Sequence, residues 1–252
     1  MRVLLSNDDG VNAPGLAALA AAFSDDEVWV VAPDREQSAS SHAISLHRPL
    51  RIVQVGERRF SVDGTPTDAV YLALNHVLRG RPPDLVLSGV NHGPNLGNDV
   101  LYSGTVAAAM EGALLGVSAI AVSLAARPPH DFGPPAAFAA ELARSIAALH
   151  PPRPILLNVN VPAGPVKGFR FTRLGVRTYG NEVIEKQDPR GRSYFWIGGD
   201  ASHQDIPLSD CNTVLDEGLV AVTPLRLDLT HDGLFAGLAD LAVTGFHREP
   251  AP

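Results

Sequence analysis

The sequence predicts an α/β protein: a three-layer, Rossmann-like, mostly parallel sheet with helices on both faces, plus a C-terminal extension that carries a hairpin. Three observations support this. Short runs rich in Val, Ile and Leu alternate with Ala-rich helical runs through residues 2–162. Those strand-like runs are apolar almost throughout, as strands covered on both faces are. Gly, Pro, Asn and Asp fall between the runs, where turns belong.

The elements follow in order. "RVLLS" reads as a buried strand, and "PGLAALAAAF" as a helix with Pro14 in its first turn. "VWVVAP" is a second β-branched run, ended by Pro33. After the loop "DREQSASSHAISLHRPL", "RIVQV" and "RRFSVDG" read as antiparallel strands around the Gly56-Glu57 turn. "TPTDAVYLALNHVL" is a helix with Thr65 as N-cap, Pro66 in the first turn and Asp68 where a capping-box acid belongs. "PDLVLSG" is a strand, "SGTVAAAMEGALLG" a helix and "SAIAVSL" a strand. "RPPHDFGPP" breaks the chain before the helix "AAFAAELARSIAAL" and the buried strand "PILLNVNVP". From Gly164 the texture changes. "NEVIEKQDPRGRSYFWIGG" reads as a long hairpin closed at Asp188-Pro189-Arg190-Gly191. Tyr194, Phe195 and Trp196 are consecutive and cannot share one face, so some meet either the body or another subunit.

The totals narrow the function. A chain of 252 residues, 45% hydrophobic and 19% charged, builds a sizeable core. A net charge of −7 and a pI near 5.7 argue against non-specific binding to nucleic acid or anionic membrane. The longest uncharged apolar stretch, Gly112 to Ala126, is short of the ~20 residues a spanning helix needs. Cys211 is the only cysteine, and Asp8 and Asp9 arrive too early for a secretory signal. A cytoplasmic protein is expected.

Chemistry concentrates where strands end, the usual place for ligands in open parallel sheets. Asn7-Asp8-Asp9 follows the first strand; it is either good turn chemistry or a carboxylate pair that holds a cation. "DREQSASSH" follows the second strand. The third loop, "SGVNHGPNLGNDVLYSGT", combines Gly89, Gly93, Gly97 and Gly104 with Asn91, Asn95 and Asn98. It ends at Ser103-Gly104-Thr105, either a plain helix cap or a phosphate site at free N–H groups. The only lysines are Lys167 and Lys186, so no P-loop is present, and glycines spaced by four do not make a dinucleotide fingerprint. Asp, Asn and Ser oxygens suit Mg²⁺, Mn²⁺ or Ca²⁺, whereas His42 and His47, five apart with no Cys-x-x-Cys, do not suggest zinc. Two carboxylates, two hydroxyl-rich loops and an anion-binding helix start together suit metal-assisted phosphoester hydrolysis.

These residues carry a resemblance. "LLSNDDGVNAPG", "VVAPDREQSASSHAIS", "GTPTDAVYLAL", "PDLVLSGVNHGPNLGNDVLYSGTVAAAMEG", "LLNVNVP", "DPRGRSYFWIGG" and "GLVAVTPLRLDLT" resemble the SurE (survival protein E) family of metal-dependent 5′/3′-nucleotidases. The resemblance implies hydrolysis of nucleoside 5′-monophosphates, with 3′-monophosphates and short polyphosphate as further substrates. It implies one divalent cation per subunit, Mg²⁺ or Mn²⁺, on Asp8, Asp9, Ser38 and Asn91, with Asp8 and Asp9 catalytic. It puts Asn95, Ser103, Gly104 and Thr105 around the phosphate. It also implies a homodimer or homotetramer that exchanges the C-terminal hairpin and tail, with no stable nucleic-acid complex and no membrane. The expected organisation is one α/β domain, 1–252, with a catalytic core at 1–163 and the hairpin-bearing part at 164–252. One departure is visible: family members often carry glycine shortly after the ligand Ser, while "SASSH" has none.

Overall fold

The computed structural model describes residues 1–180, 182–235, 237–238 and 241. Each apolar run of the first part becomes a strand: β1 (Arg2–Ser6), β2 (Glu27–Pro33), β3 (Ile52–Gly56), β4 (Arg59–Val62), β5 (Leu85–His92), β6 (Ala119–Ala125) and β7 (Leu156–Pro162). The helices are α1 (Pro14–Ala22), α2 (Pro66–Leu72), α3 (Gly104–Leu114) and α4 (Gly133–Leu149). Further strands follow: β8 (Phe169–Phe171), β9 (Arg177–Tyr179), β10 (Glu182–Gln187), β11 (Ser193–Gly198), β12 (Ala201–His203) and β13 (Val220–Pro224).

Among the described residues, nine strands form the main sheet in the order β3-β4-β2-β1-β5-β6-β7-β13-β8. The six strands from β4 to β7 run parallel, while β3 and β13 pair antiparallel at the two sides. Residue alternation along these strands splits the core in two. Val3, Leu5, Leu87, Ile120 and Val122 face α1 and α4. Leu4, Val86, Ala119 and Ala121 face α2 and α3. Both faces are therefore covered, and the strands have to be apolar on both.

The chain leaves β1 in opposite directions, to β2 on one side and β5 on the other. That reversal opens a crevice beyond the strand ends, between the tips of β1 and β5. Asp8 and Asp9 lie just past one tip, and Asn91 and His92 close the other.

Local signals act as the sequence suggests. Thr65 and Asp68 complete both bonds of a capping box at α2. The helix expected to run on from α2 instead widens into a π-type turn over Ala73–Val77. The Asp188 carboxylate accepts from the N–H groups of Arg190 and Arg192 and closes the β10–β11 hairpin. Strands β8, β9 and β12 were not foreseen, because three residues are too few to show a period. The C-terminal tail, residues 242–252, lies outside the described residues.

Candidate active site

Three loops meet at the crevice, and named bonds bring them together. The Gln37 N–H donates to the Asp8 carbonyl at 2.8 Å, tying the second loop to the first. Ser41 joins the second loop to the third, through its N–H to the Tyr102 carbonyl and its hydroxyl to the Leu101 carbonyl. Thr105, in the first turn of α3, donates its hydroxyl to Asp8 Oδ1.

Asp8 is only 6% exposed and faces the start of α3. Gly104 makes this approach feasible. A Cβ there would lie 2.8 Å from the Asp8 Cβ and 2.9 Å from the Ser40 hydroxyl, closer than atoms pack. Asp9, the next residue, turns towards β5, and its Oδ1 sits 2.7 Å from His92 Nδ1. The contact is close but off the line of a hydrogen bond, so Asp9 Oδ1 is buried with no hydrogen-bond partner among the described residues. Burial pushes the Asp8 carboxyl above its ordinary range. Burial, and then the neighbouring Asp8 charge, push Asp9 up to about 6.

The tip of β5 is shaped by a bulge against β6 between Ser88 and Asn91. Gly89 sits there at φ +134°, where an added Cβ would meet the Val122 carbonyl at 2.3 Å. Beyond the bulge, Asn91 is half-buried and its amide donates to the Gly93 carbonyl at 2.9 Å. Asn95 is held by two asparagines of β7. Asn160 accepts from its N–H at 2.8 Å, and the Asn158 and Asn160 amides donate to its carbonyl. Its own amide donates to Ser123, so this side chain is directed into the sheet network.

Ser103 caps α3, its oxygen accepting from the Val106 N–H at 3.1 Å. That role uses the oxygen and leaves the hydroxyl proton available. Ser38 stands apart from the cluster: it is exposed, and its hydroxyl donates to Glu36 at 2.6 Å. Two residues on, the Ser40 hydroxyl is buried beside Asp8 with no partner among the described residues. The missing glycine is visible here, since Ala39 and Ser41 adopt φ +56° and +52°, a region that favours glycine.

The residues present fit a hard divalent cation. Two desolvated neighbouring carboxylates repel each other, and amide and hydroxyl oxygens stand nearby. No group of three or more His, Cys, Asp or Glu gathers among the described residues, so amides, hydroxyls or water would have to complete the shell.

Comparison with known proteins decides the family. The family model described as "Survival protein SurE" matches residues 3–181. The chain belongs to the SurE family. A protein named 5′-nucleotidase SurE from Anaeromyxobacter dehalogenans (strain 2CP-1 / ATCC BAA-258) is 73% identical over 254 residues, covering 100% of both chains. One of the same name from Myxococcus xanthus (strain DK1622) is 58% identical, covering 98% of this chain and 95% of its own. The crystal structure of the SurE protein from Aquifex aeolicus superposes with a TM-score of 0.83 at 38% identity, covering 94% and 98% of the two chains. The mostly parallel sheet of this fold is the one expected from the apolar strand runs.

Several residues of this SurE site were not singled out in the sequence. Asn158 and Asn160 had a visible signal: two asparagines at period 2 in an otherwise apolar buried strand. Asp210 had none. It is fully buried, and its carboxylate accepts from the N–H groups of Gly97, Gly175 and Cys211. Arg177 and Tyr179 bind Asp99 from the same C-terminal segment, so the third loop is clamped at its far end.

Proposed function

We propose that this chain is a divalent-metal-dependent 5′-nucleotidase, a phosphoric monoester hydrolase that converts nucleoside 5′-monophosphates to nucleoside and phosphate. The observation that carries the proposal is the Asp8–Asp9 pair at the topological switch point, with Asp8 bonded into the start of α3. The names of the relatives support the same activity.

Asp8, Asp9 and Asn91 would hold the cation, joined by a hydroxyl of the second loop. The family pattern points to Ser38; the buried, unpartnered Ser40 hydroxyl on the Gly104 side of Asp8 supports Ser40 as the alternative. When bound, Mg²⁺ or Mn²⁺ supplies charge neutralisation and polarisation of a phosphoryl oxygen. The first turn of α3 offers backbone N–H groups and the positive end of a helix dipole to the remaining phosphate oxygens. Ser103 donates its free proton to one of them. Thr105 fixes the Asp8 carboxylate against that helix start, and Asn95 braces the third loop from the sheet.

Assembly follows from the hairpin. Every residue of β10 and β11 is exposed, including Trp196 at 61% and Ile197 at 91%. That much apolar surface suits burial against a second subunit, so a homodimer or homotetramer is the working state. No helix among the described residues is long and apolar enough to cross a membrane. We place the reaction in the cytoplasm, where the buried free thiol of Cys211 needs no oxidised partner.

The test is phosphate release from a panel of 5′- and 3′-nucleoside monophosphates and short polyphosphate, after chelation and after adding back Mg²⁺ or Mn²⁺. Activity that is lost on chelation, restored by metal and greatest on 5′-monophosphates is expected. No release from any nucleotide with any divalent cation overturns the proposal.

A further inference from the structure

The two carboxylates of the pair face different neighbours. Asp8 faces the phosphate side, at Thr105 and Gly104. Asp9 instead lines a cavity of about 240 Å³ with Ala13, Pro14, Glu36, His92, His130 and Phe132. A ligand that spans the pair therefore has one end at α3 and the other in this cavity.

The cavity wall is a run of planar rings. His92 and His130 have ring centroids 6.0 Å apart, and His130 and Phe132 5.6 Å apart. His130 Nδ1 is buried with no hydrogen-bond partner among the described residues, an unmet polar atom beside apolar ring faces. The volume is below the roughly 300–1,000 Å³ of pockets that enclose a whole ligand, and suits one flat ring system with the rest of the molecule outside. Bases stack on aromatic faces with little regard to identity, because every base has a π-face.

We propose that this cavity is the nucleobase subsite, with the His130 and Phe132 rings as the stacking wall and His130 Nδ1 as a hydrogen-bonding partner for a base edge. The inference rests on reading the Asp8–Asp9 crevice as a nucleotide phosphatase site. It gives a nucleotide a contact that a simple phosphomonoester lacks: the segment 126–132, far from the carboxylates in sequence, holds the half of the substrate that does not react.

The experiment compares adenosine 5′-monophosphate with ribose 5-phosphate, which keeps the phosphate and sugar and lacks the base. The variants are His130→Ala and Phe132→Leu; leucine keeps the apolar packing of Phe132 and removes the ring. Loss of a base–aromatic stack should raise KM for the nucleotide by about 5- to 140-fold. Values for ribose 5-phosphate should stay within about twofold, since the stacking term is absent there. Unchanged nucleotide kinetics in both variants overturns the subsite. Equal losses on both substrates overturn it too, because they mean the rings only support the fold. If the unmodified enzyme releases phosphate from neither compound in the presence of Mn²⁺, the phosphatase reading itself fails, and the subsite falls with it.

Discussion

Strands β5 and β11 are built from the same kinds of residue and live in opposite surroundings. In β5, "LVLSGVNH", the first six residues are buried, with Leu87 fully so. In β11, "SYFWIG", every residue is exposed, although it is the more aromatic of the two. Residue type made both of them strands; the covering layers decided what each one does. The sheet strand has helices on both faces and uses its tip to aim Asn91 and His92. The hairpin strand has no layer over it among the described residues, and its apolar surface stays exposed.

That contrast can be broken most forcefully by truncation. Leu87→Ala removes a side chain with no room to relax and should cost about 2–5 kcal/mol of stability. Ile197→Ala, at 91% exposure, should stay within about 0.5 kcal/mol in the isolated chain and act on subunit association instead. Chemical denaturation of both variants, with sedimentation of the second, checks this. A stability loss at Ile197 equal to that at Leu87, under monomeric conditions, would show that the hairpin packs on its own body.

The strand tips give the next largest effect. Asp9→Asn keeps shape and removes one charge from the proposed cation site. Partners one shell further out typically cost 10–100-fold in metal affinity, so this change should lower activity at limiting Mn²⁺ by more than about 100-fold. Excess metal should recover part of it. Full activity in trace metal would remove Asp9 from the site.

Ser103→Ala tests the two roles assigned to one hydroxyl. Loss of a hydrogen bond to a charged oxygen, ~1.5–3 kcal/mol, corresponds to roughly 10- to 150-fold in kcat/KM on every phosphomonoester. Loss of the cap alone lowers stability by ~1 kcal/mol. Melting temperature and kinetics on the same variant separate them; a lower Tm with intact kinetics would leave only the cap.

The smallest expected effect is a pH dependence in the metal-free enzyme. Asp9 is raised to about 6 by burial and by Asp8, so the folded chain holds a proton that the unfolded chain releases. That contribution is full below the unfolded carboxylate value of about 3.9 and is lost as pH rises through 6. With chelator present, Asp9→Asn should therefore gain in Tm relative to the unmodified chain between about pH 4.5 and 7.5. Taking the difference cancels carboxylates that move oppositely, such as Glu27, which its bond to Arg2 holds down at about 2. A flat difference would mean that Asp9 does not titrate there.

Much of this was legible in the sequence. Fully apolar runs announced covered strands, Thr65-Pro66-Thr67-Asp68 announced a capped helix, and three polar loops at strand ends announced a site. The loops do converge, because a parallel sheet places every strand's carboxyl end on one side. What was hidden depended on long-range pairing. Asp210 meets Gly97 across 113 residues, and no local pattern marks an isolated acid as a brace. Ser38 and Ser40 are chemically equal in the sequence, and only the left-handed bends at Ala39 and Ser41 turn one outward and bury the hydroxyl of the other.

The Asp210 brace also has a consequence in time. A ribosome releases the chain from its amino end, so Asp8, Asp9, Asn91 and Ser103 all emerge more than a hundred residues before Asp210. During that interval the Gly97 N–H lacks the carboxylate that anchors it, and β7 still lacks β13 at its side. The half-made chain thus holds its reactive groups but not the fastening that sets the third loop. The third loop can take its final form only after Asp210 has been made.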